Sequence, residues 1–334
     1  MPTRPLRITL EDPASLQTGE NHRLAVIRFG AATAVSDADP REVTIGLPPL
    51  DGPPRVEIWR APRVDETGFM DGIGYARTPD VLFGRLLITE PMSMAGAAEA
   101  AYLRLIAFHR GLGYDHLLRT WNYFPDIHAA DDGDAGSMLD RYQAFCVGRH
   151  RALVATGYDE TALPAATAIG SQGDGLLVYF LAARAPGEQI ENPRQVSAFR
   201  YPAEYGPQSP SFSRATLKRW DGERPHLYIS GTASIVGHAS VHVEDCLRQL
   251  DEIVENLRAL VEAANARLTP EQHIDGPGGL SLLKVYLREP AHVAAVRERL
   301  TQLVGTRVPV LFLRGDICRR DLWVEIEGLH AGTA

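Results

Sequence analysis

Cysteine is scarce in this sequence. Only three of the 334 residues are cysteine (Cys146, Cys246 and Cys318), and they lie far apart along the chain. An odd number of dispersed thiols excludes a disulfide framework and a local metal knuckle built on cysteine. Thiols of this kind suit a reducing compartment, so we predict a cytoplasmic location.

Lysine and net positive charge are also lacking. Lys218 and Lys284 are the only lysines among 34 basic residues, and the formal net charge is −8. This balance disfavours a nucleic-acid surface, which needs a concentrated basic patch. No apolar run approaches the roughly 20 residues of a membrane span, and residues 1–13 lack the apolar core of a signal peptide. We therefore predict no nucleic-acid partner and no membrane partner.

Cofactor motifs are missing as well. The glycine-rich stretch GSQGDG at 170–175 has no P-loop Lys-Ser/Thr, and neither a GxSxG nor a dinucleotide fingerprint occurs. His238 and His242 are four residues apart, but no third ligand stands at a zinc-binding spacing. We predict no metal and no cofactor.

One order of strands and helices occurs twice in the chain. Each half has a strand, a long helix, a strand, a loop, a second helix and two closing strands. The helices are predicted at 95–113, 137–153, 243–264 and 291–305. The pattern predicts an α+β fold that is duplicated within the chain, with an N-terminal domain at 1–200 and a C-terminal domain at 201–334.

A carboxylate stands on an apolar strand near the end of the chain. Val324 and Ile326 alternate with Glu325 and Glu327 in VEIEG. A carboxylate buried without a partner is costly. Either this face is solvated or a carboxyl group is placed there to exchange a proton, and the pattern alone leaves both interpretations open.

Residues 191–213 form an irregular stretch between the two halves. The stretch contains four prolines and few aliphatic residues, which a plain linker would also show. Tyr201, Tyr205 and Phe212 make it more aromatic than flexible linkers usually are. We expect an ordered segment that packs near a site.

The second half resembles the Rid/YjgF family. The matching residues are ISGTAS at 229–234, Gln249 with Glu255-Asn256-Leu257 on a helix, and VEIEG at 324–328. From about Val81 onward the chain resembles a narrower family, the chorismatases, which join a diverged Rid-like half to a second Rid-like half. The stretches that carry this resemblance are RTWNYFPDI (119–127), YQAFCVGR (142–149), PAATAIG (164–170), ENPRQVSAFRYPAEYGP (191–207) and PSFSRA (210–215).

The resemblance implies two tandem Rid/YjgF-like (chorismate-mutase-like) units with a ligand cleft where they meet. It implies a monomer, with a Rid-like trimer as the alternative. Chorismatases remove the enolpyruvyl group of chorismate as pyruvate. In Rid-type proteins the functional acid is the first glutamate of VEIE, so the resemblance favours Glu325 over Glu327 as the general acid.

Chorismate carries two carboxylates, which arginine binds through paired hydrogen bonds. The candidate residues for substrate binding lie in the stretches above and are Arg149, Arg214, Tyr142, Tyr201, Tyr205, Gly231 and Thr232. The pair Gly231 and Cys318 resembles the type that forms 3-hydroxybenzoate, whereas bulkier pairs accompany a hydrolytic type that forms a dihydrodiol. Cys318 is therefore the second candidate catalytic residue, as a nucleophile or a proton relay. Some 4-hydroxybenzoate as a second product stays open.

Two other functions remain as alternatives. One is a Rid-like enamine or imine deaminase, although Arg307 and Arg314 are displaced from the place where that chemistry needs an arginine. The other is a metabolite-binding protein that holds an anion without turnover.

Overall fold

A computed structural model describes residues 6–16, 21–131, 139–220 and 224–331 of the protein. The first part of the chain forms a five-stranded sheet with the order β1-β5-β2-β4-β3. Its strands are short and are separated by Pro- and Gly-containing turns. They are β1 (Arg7–Glu11), β2 (Arg23–Phe29), β3 (Ala34–Val35), β4 (Glu42–Ile45) and β5 (Val56–Arg60).

A six-stranded sheet and two helices follow as the first α+β unit. The sheet has the order β10-β9-β11-β8-β7-β6. Its elements are β6 (Glu66–Met70), β7 (Ile73–Arg77), β8 (Val81–Ile88), α1 (Met94–Gly111), β9 (His116–Phe124), α2 (Arg141–Ala155), β10 (Ala165–Gly170) and β11 (Leu176–Ala183).

A second six-stranded sheet forms the second unit. It has the order β12-β13-β14-β19-β17-β18. The elements are β12 (Glu188–Ile190), β13 (Ala215–Lys218), β14 (His226–Ala233), the small hairpin β15 (Ile235–Val236) and β16 (Ala239–Ser240), α3 (Cys246–Asn265), β17 (Leu282–Leu287), α4 (Val293–Val304), β18 (Val310–Arg314) and β19 (Val324–Ala331).

The two six-stranded sheets have the same topology. In each, the strand that follows the first long helix runs antiparallel to its central neighbour and parallel to the edge strand, as β9 does with β11 and β10 and β17 does with β19 and β18. In each, the first long strand lies on the other side of that central strand, as β8 does with β11 and β14 does with β19. The predicted α+β fold and its internal duplication are confirmed. The closing strands β18 and β19 do not pair with each other, because β17 lies between them.

Side chains alternate between the two faces of each strand, so one face of each six-stranded sheet packs against the helices of its own unit. Val324 and Ile326 of β19 pack with α3 and α4, and Val178 and Phe180 of β11 pack with α1 and α2. The opposite faces of both units and the five-stranded sheet enclose one central core. The five-stranded sheet therefore forms a third wall, and Trp59 on β5 reaches the middle of that core.

The described part of the chain contains no helix that is both long and apolar enough to cross a membrane.

Candidate active site

A cavity of about 310 Å³ lies where the two units meet. Helix α2 and the 191–213 segment form one side, and β14, β19 and the loop between β18 and β19 form the other. The residues that the later argument uses are Tyr142, Cys146, Tyr201, Tyr205, Phe212, Arg214, Gly231, Cys318, Arg319 and Glu325. A smaller cavity of about 40 Å³ shares Glu325, Gly231 and Cys318 and adds Arg149 to the lining.

Glu325 is buried at the inner end of this cavity. It pairs with Ala233 on β14 and with Tyr286 on β17, so its side chain points to the central core rather than to the helices. Its residue is only 4% exposed, and no hydrogen bond reaches the carboxyl group from the residues that the structure describes. Burial, with a smaller effect from the negative charge of Glu327, raises the pKa of Glu325 to about 8. The carboxyl group is therefore protonated at neutral pH.

The lack of a side chain at Gly231 leaves room for the Glu325 carboxyl group. The pairing of β14 with β19 shifts register between Ile229 and Thr232, which puts Gly231 in an irregular part of the strand. A Cβ atom at this position would overlap the Glu325 side-chain oxygen. The Gly231 N–H donates to Thr167 Oγ1 at 3.1 Å, which fixes the backbone beside the carboxyl group.

Glu327, two residues further along β19, is also buried but is fully paired. Its oxygens lie 2.7 Å from Lys284 Nζ and 3.0 Å from an Arg119 nitrogen. Trp121 Nε1 donates to it at 2.9 Å and Thr167 Oγ1 at 2.6 Å. Burial alone would raise its pKa, but the charges of Lys284 and Arg119 outweigh burial and lower the pKa to about 2. Two glutamates on the same face of one strand are thus held in opposite protonation states.

Three arginines in the site each keep a buried N–H group without a hydrogen-bond partner in the part of the chain that the structure describes. These are Nε of Arg149, Nε of Arg214 and Nη2 of Arg319. Arg149 donates otherwise to the Ser211 carbonyl. Arg214 donates to the Val196 carbonyl at 2.8 Å and to the Tyr201 hydroxyl at 2.6 Å. Buried guanidinium groups with unused donors are suited to an anionic ligand.

Aromatic residues of the 191–213 segment hold two of these arginines, Arg214 and Arg319, in place. Arg319 lies over the Tyr205 ring, with its Cζ 3.7 Å from the ring centroid. Arg214 lies between the rings of Tyr201 and Phe212, at 5.4 Å from each. Such contacts stabilise a guanidinium group away from bulk water. The segment is ordered and lines the cavity, as we expected from its aromatic content.

Cys318 lies on the loop between β18 and β19 and contributes its side chain to both cavities. Burial, and then the proximity of Glu325, raises the pKa of the thiol to about 12. The group is therefore a neutral thiol at neutral pH, and in this form it donates or relays a proton more readily than it attacks as a nucleophile.

The structure brings most of the predicted site residues together. Those that line the main cavity are Glu325, Cys318, Tyr142, Tyr201, Tyr205, Arg214 and Gly231. Arg149 lines the smaller cavity that adjoins it. Thr232 lines neither cavity, and its hydroxyl donates to the Ser230 carbonyl at 3.0 Å.

The sequence analysis missed two groups of residues. Arg319 was not among the predicted site residues, although its position next to Cys318 was a signal that this loop reaches the site. The charges around Glu327 were also missed. Lys284 is one of two lysines in the chain and stands in the middle of an apolar strand, which was a sign of a buried partner.

Comparison with known proteins identifies relatives along nearly the whole chain. The family model described as "Chorismatase FkbO/Hyg5-like, N-terminal" matches residues 57–182. A chorismatase of Streptomyces rapamycinicus is 40% identical over 279 residues, which is 82% of this chain and 82% of that protein. A 3-hydroxybenzoate synthase of Streptomyces hygroscopicus is 34% identical over 292 residues, covering 86% of this chain and 85% of that protein.

A solved structure agrees with the fold. The crystal structure of a chorismatase superposes with a TM-score of 0.89 at 34% sequence identity and covers 99% of both chains. Both α+β units and the N-terminal sheet are therefore shared with it. On these sequence and structural matches, the chain belongs to the chorismatase family.

Proposed function

We propose that the protein converts chorismate into pyruvate and 3-hydroxybenzoate. The observation that carries this proposal is the Glu325 carboxyl group, which is protonated at neutral pH and lies in a cavity whose arginines have unused donors. The two products together contain the atoms of chorismate, so the overall reaction needs no oxidant or reductant. Relatives named chorismatase and 3-hydroxybenzoate synthase support the same conclusion.

The first chemical step is protonation of the enol ether. Glu325 gives its proton to the methylene carbon, and the adjacent carbon becomes an oxocarbenium-like centre. Water adds to this centre and the hemiketal collapses to pyruvate and a ring diol, which loses its C4 hydroxyl and the C3 hydrogen as water to give 3-hydroxybenzoate. If the C4 hydroxyl of the substrate adds instead, the cyclic adduct breaks its bond from oxygen to C4 as C3 loses its hydrogen, and it then collapses to the same two products. In both cases no net water is consumed. A carboxyl group with a pKa near the working pH is suited to this role, because it is protonated before the step and still acidic enough to transfer its proton.

Arg149 and Arg214 hold the two carboxylates of the substrate. Each has a buried Nε–H group without a partner among the described residues, and they come from different parts of the chain, one from α2 and one from the position just after the 191–213 segment. Arg319 presents a third unused donor to the same cavity. Tyr142, Tyr201 and Tyr205 supply the apolar walls that orient the ring of the substrate.

Gly231 and Cys318 decide which aromatic product forms. Gly231 leaves the space that the Glu325 carboxyl group occupies, and the neutral Cys318 thiol, which lines the same cavity, relays a proton to the C4 hydroxyl as it leaves the ring. The similarity to a 3-hydroxybenzoate synthase favours that product over the dihydrodiol. A minor share of 4-hydroxybenzoate remains within the proposal.

The same proposal includes the organisation of the chain. Residues 1–200 and 201–334 act as two domains, with β12 of the first domain added to the sheet of the second. Because one chain supplies both sides of the cavity, a monomer is sufficient for activity. The three dispersed cysteines are consistent with the cytoplasm as its location.

A deaminase of the Rid type has less support. Arg307 pairs with Asp275 on the surface, with side chains 76% and 81% exposed, and Arg314 is exposed at the end of β18. Neither residue lines the cavity that contains Glu325.

The test is incubation of the purified protein with chorismate, with pyruvate measured by a coupled lactate dehydrogenase assay and the aromatic product by chromatography and mass analysis. We expect pyruvate and 3-hydroxybenzoate in equal amounts. Bound but unchanged chorismate would overturn the proposal in favour of a binding protein, and release of ammonia from an enamine substrate would favour the deaminase.

A further inference from the structure

We propose that Glu57, on the N-terminal sheet, is a positioning residue for the reaction: through Lys284 it balances the charges around Glu327, so that the neighbouring Glu325 keeps its proton. This inference rests on the proposed function. It gives a catalytic role to the five-stranded sheet, none of whose described residues lines the cavity.

The connection from Glu57 to the site is a continuous chain of buried charges. Lys284 Nζ lies 3.0 Å from Glu57 and 2.7 Å from Glu327. Glu327 continues to Arg119 at 3.0 Å. The four side chains are 1–4% exposed, and they come from the N-terminal sheet, from the second unit and, for Arg119, from the first unit. The cluster therefore joins all three walls of the central core.

Glu57 itself is held in a fixed orientation. Trp59 Nε1, two residues along β5, donates to its other oxygen at 2.7 Å. Lys284 stands directly across from Glu327 in the pairing of β17 with β19, so its position is set by the strand register. Tyr286, the next inward residue on β17, stands across from Glu325.

The charges of the cluster sum to zero. Glu57 and Glu327 carry one negative charge each, and Lys284 and Arg119 carry one positive charge each. In a poorly solvated interior, a further charge next to a balanced cluster is unfavourable. Glu325 would add such a charge if it ionised. Without Glu57 the cluster would carry a net positive charge, which would stabilise the ionised form of Glu325.

Other charged and titratable groups also face Glu325 from the elements around it, and none of them replaces Glu57. Arg149 and Arg214 meet the carboxylates of the substrate, so their charges are compensated during the reaction. The groups on the elements next to Glu325 are Tyr142, Cys146 and Arg149 on α2, Arg214 before β13, Arg119 on β9, Tyr286 on β17, Cys318 and Arg319 on the β18–β19 loop, and Glu327 on β19. The other titratable groups in the cavity lining are His128, Asp140, Tyr201, Glu204, Tyr205, Arg320 and Asp321.

A purely structural role for Glu57 is the competing explanation, because buried ion pairs also occur as parts of a core. The two roles predict different pH profiles. Loss of a structural contact lowers stability or lowers the rate at every pH. Loss of charge balance moves the pH at which Glu325 loses its proton, and with it the descending limb of the kcat profile.

The experiment compares the kcat–pH profiles of pyruvate release for the wild type, Glu57→Gln and the double variant Glu57→Gln/Lys284→Met. In Glu57→Gln we expect the descending limb to move to lower pH by on the order of one unit, with kcat below the limb changed by less than about threefold. The double variant leaves Glu327 with Arg119 and is again balanced, so its limb should return to within about 0.3 units of the wild type.

Glu42→Gln is the matched control, since Glu42 lies on β4 of the same sheet and pairs at the surface with Arg28. Its profile should match the wild type. An unchanged limb in Glu57→Gln, or a limb that stays shifted in the double variant, would overturn the inference. If Glu57→Gln fails to fold, Lys284→Met and the double variant decide. Lys284→Met leaves the cluster with a net negative charge, so its limb should move to higher pH and return toward the wild type when Glu57→Gln is added; equal limbs in these two variants refute the inference. A wild type that releases no pyruvate would instead refute the proposed function.

Discussion

The two α+β units share one topology but differ at the position that carries the chemistry. Tyr123 on β9 and Tyr286 on β17 occupy corresponding places, and their hydroxyl groups meet across the central core at 3.2 Å. The strand register then makes Leu177, the partner of Tyr123, the counterpart of Glu325, the partner of Tyr286. Two residues further on, Tyr179 corresponds to Glu327.

The neighbours of these positions differ in the same way. Tyr179 stands across from Trp121 and stacks on it, with ring centroids 4.7 Å apart, whereas Glu327 stands across from Lys284. The first unit thus fills its inner face with aromatic rings, and the second fills it with paired charges. The comparison teaches that the duplicated backbone offers two equivalent places for an acid, and that the side chains opposite decide which one holds it.

The largest change in kcat should come from Glu325, whose counterpart in the first unit is Leu177. We expect Glu325→Gln to lower kcat for pyruvate release by about 10³-fold or more, because the general acid is lost while size and shape are kept. The matched control is Leu177→Met at the corresponding position of the first unit, a swap of similar volume that should leave kcat within a few-fold. Equal losses in both variants would show that the units do not differ in this role.

The free energy of unfolding should depend on pH through the same Glu325 carboxyl group. The folded-state pKa of Glu325, about 8, lies above its ordinary value of 4.5. The protonated carboxyl group therefore contributes fully to the free energy of unfolding below pH 4.5, and this contribution is lost as the pH rises toward 8. We expect the free energy of unfolding of Glu325→Gln, measured with urea, to gain roughly 3–5 kcal/mol on the wild type between pH 5 and pH 9.

The control for this measurement is Glu262→Gln on the exposed face of α3, for which the difference from the wild type should stay constant between the two pH values. A Glu325→Gln difference that is equally constant would mean that this carboxyl group is solvated, and the contrast with Leu177 would lose its basis.

Gly231→Ala should lower kcat by less than Glu325→Gln does, because it displaces the Glu325 carboxyl group without removing it. The backbone at Gly231 is outside the left-handed region, so the substitution acts through space alone, and its Cβ forces the Glu325 carboxyl group aside. We expect kcat to fall about 10- to 100-fold. Gly111→Ala at the end of α1, where a Cβ meets no atom within 4 Å, serves as the control and should be silent.

Cys318→Ser should change the rate least. Because the neutral thiol does not supply the first proton, pyruvate release should remain within about tenfold of the wild type, while the share of 3-hydroxybenzoate among the aromatic products falls. Cys246→Ser, at the start of α3 and outside both cavities, should leave the product ratio unchanged. Product ratios are read by chromatography, and an unchanged ratio in Cys318→Ser would remove this residue from product choice.

Much of the fold was accessible from local patterns. The sequence predicted a helix at 243–264, which the structure has at Cys246–Asn265, and the alternation in VEIEG predicted a strand with two glutamates on one face. The repeated order of elements predicted the duplication. The charge partners of those glutamates were not accessible, since Glu57, Arg119 and Lys284 lie far apart in the sequence and carry no shared motif.

By itself the sequence determined that the chain would be duplicated and that an acid would stand on an apolar strand in its second half. These features depend on periods of two and 3.6 residues, which are local. Only the tertiary structure decided that Glu327 is ionised and Glu325 is protonated. That difference depends on which charges burial brings within about 3 Å, and strands from three separate parts of the chain supply them.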